Sequence, residues 1–255
     1  MNYPKTTLSV FLCLLLSLAT KAQIVNVESQ RIVTDTIGWA GSFGGNFSLT
    51  QNVETIYSAD AFAHIQFKTA RNLFLLLGDY SFLKGADKKY IDNSFFHFRY
   101  NRKINKWLSG EFFTQLQTNK ITKIDTRFLI GVGPRFKVFA QKKLIIYLGV
   151  SVMYEYEKEL VTPPAYYRQA RNSTYVSLTY KPNNTWQLTS TTFYQLLFNY
   201  FGDYRILNQE TIAFKITKAL SATLNWDYLY DQFPAEGVPQ RNINFTAGFK
   251  YVLNP

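Results

Sequence analysis

Strict alternation of apolar and polar residues is the feature that most constrains how this chain folds. From Ile37 to Leu49 every second residue is apolar or glycine, while the intervening positions are small or polar. The same pattern returns at 57–67, 144–154 and 243–251. Side chains of a β-strand point alternately to opposite faces, so a period of two predicts strands with one apolar face and one polar face.

Twelve such segments follow one another along the chain, and an even number is typical of single-chain outer-membrane barrels. The third segment is the least regular, because Leu73–Leu77 is apolar on both faces. Such a strand is either buried against an internal plug or a region where the alternation fails. The predicted strands cover 37–49, 54–68, 72–82, 92–101, 107–118, 124–139, 143–157, 170–181, 185–198, 204–217, 219–231 and 240–253.

The connections between these segments alternate in length, as expected when short periplasmic turns pair with longer outer loops. The predicted outer loops include Leu83–Ile91, Glu157–Gln169, Asn199–Asp203 and Asp231–Pro239. Aromatic residues at the alternate positions predicted to point outward collect at both predicted rims, where amphipathic rings meet the membrane surface. They are Trp39, Tyr100, Tyr180, Trp186 and Tyr251 on one side, and Tyr154, Tyr156, Tyr194, Phe198, Tyr228 and Tyr230 on the other. We therefore predict an all-β fold, a transmembrane antiparallel up-and-down β-barrel.

The composition favours lipid rather than water as the outer solvent. Only 18% of the residues are charged and 17% are aromatic. A secreted β-sandwich also has alternating strands, but it would expose here an apolar band far larger than soluble proteins tolerate. The alternation therefore predicts a barrel in a membrane.

The first 22 residues have the pattern of a secretory signal peptide, with Lys5 before an apolar run and small residues up to Ala22. We divide the chain into a signal peptide at 1–22, an N-terminal extension at 23–36 and an outer-membrane barrel at 37–255. Cys13 lies inside the apolar run, which argues against a lipid anchor and leaves the mature chain without cysteine. Export and barrel pattern together predict the bacterial outer membrane.

Several motifs support this prediction by resemblance. The chain resembles the family of salt-induced outer-membrane proteins at several places: the stretches Gly110–Gln115 and Arg127–Phe136, Gly149 with Glu155, the tripeptide Asp203–Arg205 and the final Gly248–Tyr251. The resemblance implies an outer-membrane β-barrel of undefined activity. The chain ends in Leu253-Asn254-Pro255 rather than on the aromatic residue that the barrel-insertion machinery often reads.

The inward set of side chains carries nearly equal numbers of positive and negative charges. Such a lumen is first interpreted as cross-lumen ion pairs, in a structural barrel or a narrow passive channel. The alternative is an anion-preferring porin for small solutes, in which Arg127, Arg135, Arg171 and Arg205 form a track for small anions. The candidate lumen charges are Arg99, Glu111, Arg127, Arg135, Glu155, Arg171, Arg205 and Asp227.

The formal net charge of +11 lies mostly in the predicted turns and outer loops. Outer lysines at 84, 88, 89, 120 and 123 would face lipopolysaccharide phosphates, so the expected partners are outer-membrane lipids, lipopolysaccharide and the barrel-insertion machinery. The basic residues form no contiguous groove, so we expect no nucleic-acid binding. We expect the protein to be a monomer.

We expect no enzyme, cofactor or metal site. The two histidines, His64 and His97, both have inward parity, and the chain lacks GxSxG and HExxH motifs. A barrel lipid hydrolase, the second alternative, would need a histidine beside a serine on an outward face.

Overall fold

In a computed structural model that describes residues 27–28, 31, 37–51, 55–85 and 88–251, the chain forms one antiparallel sheet with the strands in sequence order. The signal-peptide prediction and most of the predicted extension lie outside these residues. Within them, no helix has the length and apolar character needed to cross a membrane. The strands are β1 (Gly38–Gln51), β2 (Thr55–Lys68), β3 (Asn72–Gly85), β4 (Lys88–Lys103), β5 (Leu108–Asn119), β6 (Ile124–Ala140), β7 (Leu144–Glu159), β8 (Tyr166–Tyr180), β9 (Trp186–Leu197), β10 (Tyr204–Lys215), β11 (Leu220–Asp231) and β12 (Arg241–Tyr251).

The sheet curls into a nearly closed barrel. Every consecutive pair of strands forms an antiparallel ladder, and β1 approaches β12. Across the described residues the hydrogen-bonded order runs from β1 to β12 without a ladder that joins these two strands to each other. The predicted twelve-stranded up-and-down barrel is therefore confirmed, with a seam between its first and last strands.

Burial along the strands follows the alternation of the sequence. In β7, Ser151, Met153 and Glu155 are buried, whereas Val152 and Tyr154 are 53% and 43% exposed. The outward surface is thus apolar and the interior largely polar, which is the reverse of a water-soluble barrel.

Five tight connections of three to five residues lie at one end of the barrel, together with the start of β1 and the end of β12. We call this the turn end; its connections are 69–71, 104–107, 141–143, 181–185 and 216–219. The opposite end is the loop end, where the β11–β12 connection spans 232–240.

The predicted outer loop Leu83–Ile91 is wrong for most of its length. β3 and β4 continue to pair as far as Gly85 and Lys88, past a bulge at Leu83/Lys84. These residues lie at the end of the barrel, where no apolar face toward lipid is needed. The alternation that marks a strand is therefore lost from the sequence while the backbone ladder persists. The predicted loop Glu157–Gln169 shortens to 160–165 for the same reason.

Aromatic side chains form a girdle at each end. At the turn end, the ring centroids of Trp39 and Phe67 are 4.7 Å apart and those of Phe74 and Tyr100 are 4.8 Å apart. At the loop end, Tyr204 lies 5.9 Å from Tyr194 and 5.6 Å from Tyr230. Two girdles separated by an apolar band are typical of barrels that cross a bilayer.

The apolar inner face of β3 packs against a residue from outside the barrel wall. Leu75 and Leu77 are 1% and 0% exposed, and they form a cluster with Phe95 and Val27. Val27 precedes the first strand, so a short piece of the N-terminal extension lies in the lumen. This contact explains why the third strand is apolar on both faces.

Candidate functional site

The charged side chains of the lumen gather into two clusters, one toward each end of the barrel. β6 contributes Arg135 to the first and Arg127 to the second. These positions are eight residues apart, which corresponds to roughly 26 Å along a strand. The two clusters and the space between them form the candidate functional site.

The turn-end cluster comprises Glu28, Arg31, Arg99, Glu111 and Arg135. Arg135 donates two hydrogen bonds to Glu28, from Nη1 to Oε1 at 2.7 Å and from Nη2 to Oε2 at 2.9 Å. Arg99 Nη1 donates to the same Oε1 at 3.0 Å, and Arg31 Nε lies 3.0 Å from Oε2. Three guanidinium groups around one buried carboxylate favour its ionised form.

Glu111 is the second carboxylate of the turn-end cluster. It accepts hydrogen bonds from Asn101 Nδ2 at 2.8 Å and from the Tyr175 hydroxyl at 2.9 Å. Its oxygens lie 3.6 Å from Nη1 of both Arg99 and Arg135. The closer partners of Glu111 are therefore neutral, and the arginines lie nearer to Glu28.

Glycine makes room for Tyr175 in this cluster. A Cβ atom on Gly149 would overlap the Tyr175 ring. Without a side chain at 149, the ring lies against the wall and its hydroxyl also accepts a hydrogen bond from Arg135 Nη1 at 2.8 Å.

The loop-end cluster is centred on Glu155, which is 1% exposed. Arg205 Nη1 donates to both Glu155 oxygens, at 2.7 and 3.0 Å, and Arg205 Nε donates to Asp231 at 2.7 Å. The cluster comprises Arg127, Glu155, Glu157, Arg171, Asp203, Arg205 and Asp231, so three arginines face four carboxylates.

Arg171 and Arg127 complete the loop-end cluster. Arg171 binds Asp203 through two hydrogen bonds of 2.9 and 3.0 Å. Arg127 Nε donates to Glu157 at 2.6 Å. Each guanidinium is thus held by a carboxylate from another strand or loop, which fixes the side chains across the lumen.

A cavity of about 140 Å³ lies between the clusters and reaches both of them. Its middle is apolar and is lined by the buried Phe113, Leu129 and Met153. The lumen is therefore narrow and partly filled, with charged residues at both ends and apolar residues in the middle.

Most of the predicted lumen charges fall into these clusters. The structure places Arg99, Glu111 and Arg135 in the turn-end cluster, and Arg127, Glu155, Arg171 and Arg205 in the loop-end cluster. Asp227 is buried apart from both clusters, where it accepts a hydrogen bond from Asn244 Nδ2 at 3.4 Å.

The predicted arginine track is divided rather than continuous. Arg135 lies in one cluster, whereas Arg127, Arg171 and Arg205 lie in the other, and each of the four is paired with a carboxylate. The arrangement does not favour the anion-preferring alternative.

Sequence reasoning missed Glu28, Arg31 and Asp203. Glu28 and Arg31 lie in the predicted extension, where no alternation assigns a side chain to the lumen. Asp203 lies in a loop, where parity has no meaning. The sequence offers no signal for Glu28, because only the structure shows that Arg99 and Arg135 lie near a single carboxylate of the wall, Glu111.

The histidines point inward, as their parity predicts. His64 and His97 are 3% and 2% exposed. His64 Nε2 lies 3.1 Å from Asp79, and Ser42 is opposite His64 in the β1–β2 ladder. An outward serine and histidine pair, which a lipid hydrolase would need, is thus not formed by either histidine.

Comparison with solved structures places the fold among outer-membrane barrels. The NanC porin aligns with a TM-score of 0.54 at 12% identity, over 83% of this chain and 98% of that chain. The KdgM porin has a TM-score of 0.46 at 12% identity, over 84% and 98%. The translocator domain of the autotransporter NalP from Neisseria meningitidis has a TM-score of 0.49 at 12% identity, over 89% and 91%. At this identity, the likeness to the NanC porin shows a shared fold alone.

Comparison of the sequence with protein families gives one match. A family model described as "Protein of unknown function, DUF481" matches residues 41–252, which cover nearly all of the barrel. Among curated proteins, none matches the sequence.

Proposed function

The chain belongs to the DUF481 family of proteins of unknown function, and we propose that it is a narrow passive channel of the bacterial outer membrane with an ion-paired lumen. One observation carries the proposal: a cavity runs between two charged clusters inside a barrel whose outer surface is apolar. Twelve strands enclose more space than side chains alone fill in eight-stranded barrels, and less than the lumen of wide porins.

The ion pairs argue for low conductance and weak selectivity. Pores select ions by rings of unopposed charge, whereas here every arginine of the loop-end cluster faces a carboxylate. The passage left for solutes is therefore the small space around these pairs, and neither sign of ion is strongly excluded.

Conductance of the purified protein in a planar bilayer tests the proposal. We expect small current steps with little preference between anions and cations. Arg171→Ala would leave Asp203 and Glu155 less compensated and shift selectivity toward cations. Lys142→Ala, in an exposed turn, is the control and should leave selectivity unchanged.

Two results would contradict this function. Absence of current steps from correctly folded protein would favour a purely structural barrel. A strong anion preference that is lost in Arg127→Ala and Arg171→Ala would favour the anion porin.

The remaining proposals concern the surroundings of the barrel. We place the turn end in the periplasm and the loop end outside, where Lys89, Lys120 and Lys123 would attract lipopolysaccharide phosphates. We propose a monomer without catalytic activity, inserted by the barrel-insertion machinery. Membership among salt-induced proteins is a further proposal, and the amount of protein in cells grown at low and high salt tests it.

A further inference from the structure

Glu28 occupies the turn-end cluster although it does not belong to the barrel wall. We infer that Arg99 and Arg135 form a binding site for a planar carboxylate on the lumen wall, and that Glu28 fills this site as the chain's own ligand. The inference rests on the proposed function only for access, because a solute would reach the site through the lumen.

The contacts are those of a carboxylate receptor. Arg135 approaches both oxygens of Glu28 side by side, at 2.7 and 2.9 Å, and Arg99 approaches one oxygen at 3.0 Å. The paired N–H groups of a guanidinium match the spacing of two carboxylate oxygens, so this geometry selects a planar anion over a tetrahedral one.

The two arginines are positioned by the wall itself. The guanidinium of Arg135 lies 4.0 Å from the centroid of the Tyr147 ring and donates to the Tyr175 hydroxyl at 2.8 Å. Arg99 Nε donates to His97 Nε2 at 3.3 Å, and its guanidinium lies 5.7 Å from the centroid of the Phe113 ring. These contacts come from barrel strands and would persist if Glu28 were absent.

Glu28 supplies one of only two carboxylates in the turn-end cluster. When Glu28 alone is removed, Arg31, Arg99 and Arg135 are left with Glu111, whose shorter contacts are to Asn101 and Tyr175. A buried guanidinium without a counterion is unstable, so the empty site would attract an anion.

The lumen cavity leads to this site. Arg99, Glu111 and Tyr175 line the cavity, as does Val27, the residue next to Glu28. A volume of about 140 Å³ has room for a small carboxylate such as acetate.

Acetate rescue of a Glu28 variant tests the inference in detergent micelles. Glu28→Ala should unfold at a lower temperature than the wild type. Sodium acetate should then raise its Tm by about 3 °C or more over sodium chloride of equal ionic strength, once acetate exceeds its Kd roughly tenfold. The wild type should not respond, because the tethered carboxylate of Glu28 already fills the site.

Two further variants make the response specific. Glu28→Ala combined with Arg135→Gln should lose the acetate effect. Asp227→Ala removes a buried carboxylate that accepts a hydrogen bond from Asn244, and acetate should not rescue it. If Glu28→Ala does not fold in chloride, its refolding yield in detergent is compared between sodium acetate and sodium chloride of equal ionic strength, and acetate should give the higher yield.

The opposite results would overturn the inference. Equal stabilisation by acetate and chloride would exclude a site, and equal rescue by sulfate or phosphate would exclude carboxylate selectivity. The assay needs no conductance, so its failure and the failure of the channel are separate outcomes.

Discussion

Glu155 contacts arginines from two other strands. Its carboxylate takes two hydrogen bonds from Arg205 and lies 3.5 Å from Arg171 Nε. Since both arginines come from other strands, this one residue ties β7 to β8 and β10. The stability of the loop end should therefore depend on its charge.

We expect Glu155→Gln to lower the free energy of unfolding by about 3 kcal/mol, because it removes the buried negative charge that Arg205 and Arg171 share and leaves each of them with one carboxylate, Asp231 or Asp203. Urea unfolding in detergent, followed by tryptophan fluorescence, measures the loss. Asp125→Asn is the matched control, since Asp125 pairs with Lys158 where both side chains are about one-third exposed, and it should cost less than about 1 kcal/mol. Equal losses in both variants would contradict the central role of Glu155.

Because Gly149 has no side chain, the Tyr175 ring fits against the wall in the turn-end cluster. A valine there would displace the Tyr175 ring from the wall and remove its hydroxyl from Arg135 and Glu111. We expect Gly149→Val to lower the free energy of unfolding by about 2 kcal/mol. Gly110→Val is the control, because a Cβ at Gly110 meets nothing within 4 Å. Unchanged stability of Gly149→Val would show that Tyr175 has another place for its ring.

At the scale of the elements, the unequal ends of the barrel predict its orientation. Single cysteines can be placed in a chain whose one natural cysteine, Cys13, lies in the predicted signal peptide. Glu236→Cys in the β11–β12 loop should react with a membrane-impermeant maleimide on intact cells. Lys142→Cys in a tight turn should react only after the outer membrane is permeabilised. The reverse pattern would invert our assignment of the periplasmic side.

The sequence predicted the strands well because each strand has one face toward lipid and the other toward the polar lumen. Predicted and observed bounds differ by at most four residues, and the largest differences, at the starts of β4 and β8, occur at the loop end. At the loop end both faces of a strand lie outside the membrane, so the residues no longer alternate although the strands still pair. The site was less predictable. Parity assigned Arg99 and Arg135 to the lumen, but it could not assign Glu28, which lies outside the strands.

At the scale of the whole molecule, a nearly closed ladder should resist detergent. Unfolding any strand from β2 to β11 breaks hydrogen bonds to two neighbours, and the backbone has no other partners in lipid. We expect unboiled protein to migrate differently from boiled protein on a denaturing gel. Identical mobility, with release from membranes by carbonate, would return the chain to the class of secreted sandwiches.

The two clusters differ in sign as well as position. Three arginines face two glutamates at the turn end, and three arginines face four carboxylates at the loop end. The lumen is therefore an electric dipole along the barrel axis. An ion entering from one end meets attraction first and repulsion later, and an ion from the other end meets the reverse order. If the barrel conducts as proposed, we expect it to rectify, with larger currents under one polarity of voltage than under the other.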